Sequence, residues 1–200
     1  MNWNSGNQLR NCLDSIQQYG HEEVARVIAV DNASADGSAD GLAGRFDLPC
    51  ETIQNDGNFG FARACNQGAR KGRVPYILFL NPDTRLFADS LSKPLDFMMQ
   101  AKNRAVGICG IQLLDEFGRV ARTCARFPSP ARLVAQAVGL DRLAGLEKTG
   151  VHMREWNHAE SRIVNHVIGA FFMVRRNLFE KLGGFDERFF VYLEDLDFSL

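Results

Sequence analysis

Tyr76-Ile77-Leu78-Phe79-Leu80-Asn81-Pro82-Asp83 is five apolar residues closed by a polar turn. An apolar run of that length, bounded by turn formers, reads as a strand buried on both faces, as in parallel sheets. Val27-Ile28-Ala29-Val30, stopped by Asp31, repeats the pattern upstream. Between them lie Asn32-Ala33-Ser34-Ala35-Asp36-Gly37-Ser38, dense in capping and turn residues, and a weaker helix through Leu42 to Phe46. An edge strand around Ile53, a turn at Asn55-Asp56-Gly57-Asn58 and a helix from Phe61 to Lys71 follow. Before Val27, Ser5 and Gln8 make a capping-box pattern ahead of a helix carrying Leu9, Cys12, Leu13 and Ile16. This alternation predicts an α/β fold: a mostly parallel central sheet, flanked by helices, with right-handed crossovers. Such sheets bind ligands beyond the carboxyl ends of their strands, where Asp31 and Asp83 both stand.

The second half has a different texture. Leu91, Leu95 and Met98 mark a helix, Val106 to Ile111 a strand, and Leu113 to Val120 a hairpin. Residues 122–162 carry no clean period. Leu133 to Leu146 is mildly amphipathic and reads as core rather than as a membrane face. Phe171-Phe172-Met173-Val174 is a strand, and Asn177 to Leu182 a short helix stopped by Gly183-Gly184.

Composition narrows the function. Lys and Arg number 23 against 24 Asp and Glu, so the chain lacks the basic surface that nucleic acid requires. No apolar run approaches the ~18 residues of a transmembrane span, and no charged-then-apolar leader opens the chain. Five cysteines without a C-x-x-C pair suit reduced thiols in a cytosol.

Two acidic constellations carry chemistry. Asp83, just past a buried strand in a proline-stiffened turn, suits Mg2+ or Mn2+, which take one or two carboxylates plus substrate phosphates; it equally suits a cap. Glu194-Asp195-Leu196-Asp197, behind Phe185, Phe189, Phe190 and Tyr192, places carboxylates beside apolar groups that can tune a general base. It also fits an acidic first helical turn. Other motifs fail: a calcium loop from Asn32 would need glutamate where Ala43 stands. His21, His152, His158 and His166 lack zinc spacing.

Four ordered segments carry a resemblance: Val27–Ser38 (VIAVDNASADGS), Asn58–Gly68 (NFGFARACNQG), Tyr76–Leu86 (YILFLNPDTRL) and Ile168–Leu200 (IGAFFMVRRNLFEKLGGFDERFFVYLEDLDFSL). Together they resemble family 2 of the glycosyltransferases, in its rhamnosyltransferase-like branch. The resemblance implies a Rossmann-like GT-A fold, with a nucleotide-sugar-binding half over residues 1–111 and an acceptor and catalytic-base half over 112–200 of the same domain. It also implies that Asp31 and Asn32 meet the nucleotide and that Asn58, Gly60 and Asn66 shape the loop and helix near the nucleoside. Asn81-Pro82-Asp83 takes the place of D-x-D, leaving Asp83 to meet Mg2+ or Mn2+. Asp195, paired with Glu194, takes the place of the base.

The implied reaction is inverting transfer from a nucleotide diphosphate sugar, dTDP-rhamnose by branch, to a cell-envelope or lipid-linked glycan. Its setting would be the cytoplasm, at the inner face of the membrane with peripheral contact. Two departures stand out. Asn81 replaces the first acid of D-x-D, and Cys65 stands where relatives carry Arg or Asn, with Arg63 no automatic substitute. Relatives also begin with a central strand and continue past the ED segment, so the chain reads as incomplete at both ends, with two apolar strand edges left unpaired. A folded remnant that at most binds nucleotide is one competing reading. A sugar-nucleotide nucleotidyltransferase is another, and it lacks its Gly-rich phosphate loop here.

Overall fold

The computed structural model describes all 200 residues except His21, Ala43 and Arg154, so what was read at His21 and Ala43 lies outside the described residues. The first helix, α1 (Gln8–Tyr19), buries Leu9, Cys12, Leu13 and Ile16 at helical spacing. The capping box ahead of it does not form. Asn7 is the N-cap without a side-chain bond, because the Ser5 hydroxyl donates to Asn2 Oδ1 instead. Strand β1 (Val27–Asp31) pairs in parallel with β2 (Cys50–Gln54), in register from Val27↔Cys50 to Asp31↔Gln54. The helix expected through Leu42 to Phe46 is replaced, among the described residues, by turns and bends. Gly41 and Gly44 hold positive φ there, which breaks a helical run.

Helix α2 (Phe61–Lys71) and strand β3 (Tyr76–Leu80) fall where the pattern puts them. They are followed by α3 (Ser92–Met99), β4 (Ile108–Cys109) and the hairpin β5 (Leu113–Leu114) and β6 (Val120–Ala121). Then come α4 (Pro130–Ala137), β7 (Phe171–Arg175), α5 (Arg176–Lys181) and α6 (Glu194–Ser199). Strand β7 lies between β3 and β4 and runs antiparallel to both. Parallel pairing among the described residues comprises β1–β2 and a single bridge onto Asp31, in a sheet separate from the antiparallel β3–β7–β4. The strands are therefore more mixed than the alternation of elements predicts. Residues 112–200 also lend a strand to the sheet of residues 1–111.

Burial on both faces explains why β3 and β7 are so apolar. Phe171 and Met173 enter one core cluster with Leu9, Cys12, Leu13, Leu91 and Met98. Phe172 and Val174, the alternate residues, enter a second cluster with Phe79, Phe179, Phe185 and Phe198. The rings there sit 4.8–6.4 Å apart, as for Phe79–Phe185 and Phe79–Phe172, at tilted or edge-on angles that aromatic pairs favour.

On its other side, β3 faces β1 across a cavity of about 500 Å3 lined by Val27–Val30 and Tyr76–Leu80. Among the described residues, only Asn2 bridges β1 on that side, in parallel at Asp31. Apart from that bridge, no strand among the described residues pairs the facing edges of β1 and β3. Leu133–Leu146 departs from expectation: α4 ends at Ala137, and Leu133, Val134, Val138 and Leu143 are exposed, with only Ala135 of α4 buried. No helix among the described residues is long and apolar enough to cross a membrane.

Phe172→Ala, which opens a cavity in the doubly buried ladder, should lower unfolding free energy by about 3–5 kcal/mol in urea denaturation. Phe117→Ala, at a side chain 72% exposed, should stay within about 0.5 kcal/mol.

Candidate functional site at the strand ends

At the end of β1, Asp31 is only 1% exposed. Its Oδ1 accepts from Asn2 Nδ2 and from Ser34 Oγ, each at 2.6 Å. Its Oδ2 accepts from the Ser34 amide at 3.0 Å and from Gln54 Nε2. Burial by itself would raise this carboxyl, but the four donors outweigh it and hold Asp31 below the ordinary carboxylate value. The carboxylate is thus fully used inside the protein, tying residue 2, the loop at 34 and the end of β2 together.

Asn32, also buried, donates to the Gly60 carbonyl at 3.0 Å and to Asn58 Oδ1 at 3.2 Å. It accepts from Asn55 Nδ2 at 2.8 Å. Asn58 in turn accepts from the Gly60 amide at 3.0 Å. Gly60 has φ +85°, and a Cβ there would stand 2.4 Å from the Phe190 carbonyl, so only glycine fits. That carbonyl accepts from Phe61 N–H at 2.7 Å, joining the start of α2 to the segment ahead of α6.

Asn66 serves the same junction. It exchanges hydrogen bonds with the Phe185 backbone at 2.8 and 2.9 Å and donates to Glu187 at 3.0 Å. Its role is to lock α2 to the loop after α5. Cys65, beside it, is buried and its thiol is pushed up to about 12 by burial, which leaves it inert. All five cysteines are unpaired. Arg63 lies over the Phe59 ring, 4.3 Å from its centroid.

The NPD and ED segments meet through the β3–β7 ladder. Past Leu80↔Phe171 the pairing continues as Asn81 N–H to the Ala170 carbonyl at 3.1 Å. One residue on, Gly169 N–H donates to Asp195 Oδ2 at 2.7 Å. Asp195 Oδ1 accepts from the Leu196 amide at 2.8 Å. Asp195 stands in the first turn of α6, which is entered through Tyr192 and Leu193 at φ 65° and 70°, a strained conformation for non-glycine residues.

The two adjacent acids are pushed in opposite directions. Burial raises Glu194, and the neighbouring Asp195 charge adds to the rise despite a backbone hydrogen bond. Burial also acts to raise Asp195, but the His166 imidazole close by, with the Gly169 and Leu196 amides, overcomes it and lowers the group. Asp195 is therefore the more readily ionised of the two.

Asp83 is exposed, and its carboxylate makes no hydrogen bond or ion pair among the described residues. No group of three or more His, Cys, Asp or Glu able to hold a metal occurs among those residues. The residues fit a divalent cation as one uncommitted carboxylate, with substrate phosphates completing the shell.

Three residues the motifs did not nominate belong to this constellation. Asn2 and Gln54 complete the Asp31 network and carry no local signal; only the strand register brings them there. His166 approaches Asp195 Oδ1 to 3.4 Å. Its position three residues ahead of Gly169 was the available clue.

Comparison with known proteins gives this geometry its lineage. The family model "Glycosyl transferase family 2" matches residues 2–183. The chain is 26% identical over 208 residues to the N-acetylglucosaminyl-diphospho-decaprenol L-rhamnosyltransferase of Mycobacterium tuberculosis, covering 98% of this chain and 66% of that relative. Among solved structures, the Pyrobaculum calidifontis mannosyltransferase PcManGT in complex with GDP-Man and Mn2+ matches at TM-score 0.57 and 19% identity, over 93% of this chain and 46% of that one. Staphylococcus aureus TarS residues 1–349 with UDP-GlcNAc matches at TM-score 0.63 and 16% identity, over 98% and 50%. The fold is of the GT-A type. A match over most of the sequence, on a fold whose NPD and ED segments converge, leads to one conclusion: the chain belongs to glycosyltransferase family 2.

Proposed function

We propose that this site transfers a sugar, rhamnose from dTDP-rhamnose, to a hydroxyl of a cell-envelope or lipid-linked glycan with inversion. The observation that carries the reading is the junction at Asn81–Ala170 and Gly169–Asp195, which puts an exposed acid and an ionised, backbone-held acid at one edge of the sheet. The rhamnosyltransferase name of the mycobacterial relative supports the sugar. The nucleotide sugars in PcManGT and TarS support the donor class. The chain spans 66% of the length of that relative, and the activity proposed is that of the whole protein.

In this reading, Asp195 takes the proton of the acceptor hydroxyl, a poor nucleophile until a base engages it. Attack from the face opposite the leaving group needs only that one base and inverts the anomeric centre. Glu194, raised by burial, gives up its proton less readily than Asp195 beside it. Asp83 would hold Mg2+ or Mn2+, which when bound supplies Lewis-acid stabilisation of the departing diphosphate. Asn32, Asn58 and Gly60 shape the donor-side loop, and Asp31 serves the nucleotide by fixing that loop. The exposed Leu133, Val134, Val138 and Leu143 suit peripheral contact with a membrane carrying the acceptor, at the inner face of the cytoplasmic membrane.

Asp195→Asn should reduce transfer by about 10²–10⁴-fold while dTDP binding, measured by calorimetry, stays within about twofold of wild type. Weakened dTDP binding in that variant would count against the assignment. Asp83→Ala should remove the Mg2+ enhancement of dTDP binding; an unchanged enhancement would place the metal elsewhere. Binding without transfer by the wild-type chain, across dTDP-rhamnose, UDP-GlcNAc and GDP-mannose, would favour the remnant reading.

Asp31→Asn should cost about 1–3 kcal/mol at neutral pH, since the amide NH2 then faces two of the four donors. The folded carboxyl lies below its unfolded value, about 3.9, so its contribution is complete above that pH and fades as pH falls through the folded value. The difference in urea stability between wild type and variant should therefore be flat above about pH 5 and shrink below about pH 4.

A further inference from the structure

We propose that His166 is a positioning residue for Asp195: its Nε2–H closes on Asp195 Oδ1 and aims the carboxylate's remaining lone pair at the acceptor. The inference rests on the reading of Asp195 as the base. His166 is placed by its backbone, not by its ring. Its N–H and carbonyl pair with Ala125 at 3.2 and 3.1 Å in an antiparallel bridge that pins the segment ahead of β7. The bridge fixes the backbone from which the imidazole reaches Asp195.

Both side chains are largely withdrawn from water, at 10% and 14% exposure, with Nε2 and Oδ1 3.4 Å apart. Nε2 is buried and, at that separation, without a hydrogen-bond partner among the described residues. A core histidine kept for packing normally has its buried ring nitrogens satisfied, since an unpartnered one costs about 1–3 kcal/mol. Closing the gap to the ~2.8 Å of a charge-assisted bond takes a small rotation of one ring. Oδ2 is already held by Gly169 N–H and one side of Oδ1 by Leu196 N–H. The Nε2 donor would complete a three-point grip that leaves the carboxylate one orientation. The other ionisable group at this ring is Glu194, whose Oε2 is buried and unpartnered among the described residues.

Two measurements test it. The first needs no substrate: histidine-selective 1H–15N NMR should place the His166 ring proton on Nε2 and show the Nε2 resonance moving in Asp195→Asn, as loss of a carboxylate acceptor beside it requires. An unmoved His166 overturns the proposal. The second compares His166→Gln, which keeps an N–H donor, with His166→Phe, which keeps only the bulk, using dTDP-rhamnose and an N-acetylglucosaminyl-diphospho-polyprenol acceptor. His166→Phe should lose at least about tenfold in kcat with the donor KM unchanged, and His166→Gln should recover most of the loss. Equal losses in both variants with lowered melting midpoints would mean a structural residue and overturn the proposal, as would full kcat in His166→Phe. Full transfer by Asp195→Asn would instead bring down the base assignment, while the NMR coupling reports on the pair independently.

Discussion

Everything in this molecule hangs on one antiparallel ladder, β3 against β7, buried on both faces. Because side chains alternate across a strand, Tyr76–Leu80 and Phe171–Val174 are apolar or aromatic at every position, and each run feeds two separate clusters at once. A one-residue slip would exchange the clusters and move the ladder's end by one residue, so the packing that stabilises the fold also sets the chemistry. The register that seats Phe172 among the phenylalanines brings Asn81 to Ala170 and presents Gly169 N–H to Asp195.

Around that ladder the acids divide by environment. Asp31 is buried and surrounded by donors, so its charge serves the architecture. Asp83 sits in the open, without a hydrogen bond or ion pair among the described residues. Asp195 and Glu194, adjacent in the chain, are separated by their partners rather than by their depth. Three local environments thus give one residue type three tasks, and a composition count would not tell them apart.

Much of this was legible in the residues. β1, β3, α2 and β7 were plain because burial on two faces or on one helical face leaves a periodic trace. Asp83 and Asp195 stood out because they follow or begin such elements. What stayed hidden depends on register and on competition between donors. Ser5 turns from its helix to Asn2, which is itself held by Asp31 from the end of β1. Gln54 could not be seen to reach Asp31, because its partner arrives from a distant segment. The antiparallel setting of β7 was hidden for the same reason. His166 was visible only as a histidine without zinc spacing, since its partner lies in a helix that begins far downstream. Leu133–Leu146 misled because its apolar residues are numerous enough for a core and yet face outward.

The same register has a consequence for how the chain reaches its folded state. Leu80 and Phe171 are neighbours in space but close a loop of roughly ninety residues, at an entropic cost that grows with the logarithm of that length. The local pieces, α1, α2 and the β5–β6 hairpin, can form early. The ladder must wait for the far end of the chain, as topologies rich in distant contacts do. On a ribosome, the first hundred residues would emerge with Tyr76–Leu80 still unpaired, an apolar strand in search of an edge. The junction between the NPD and ED segments and the stable core would then appear in the same late step.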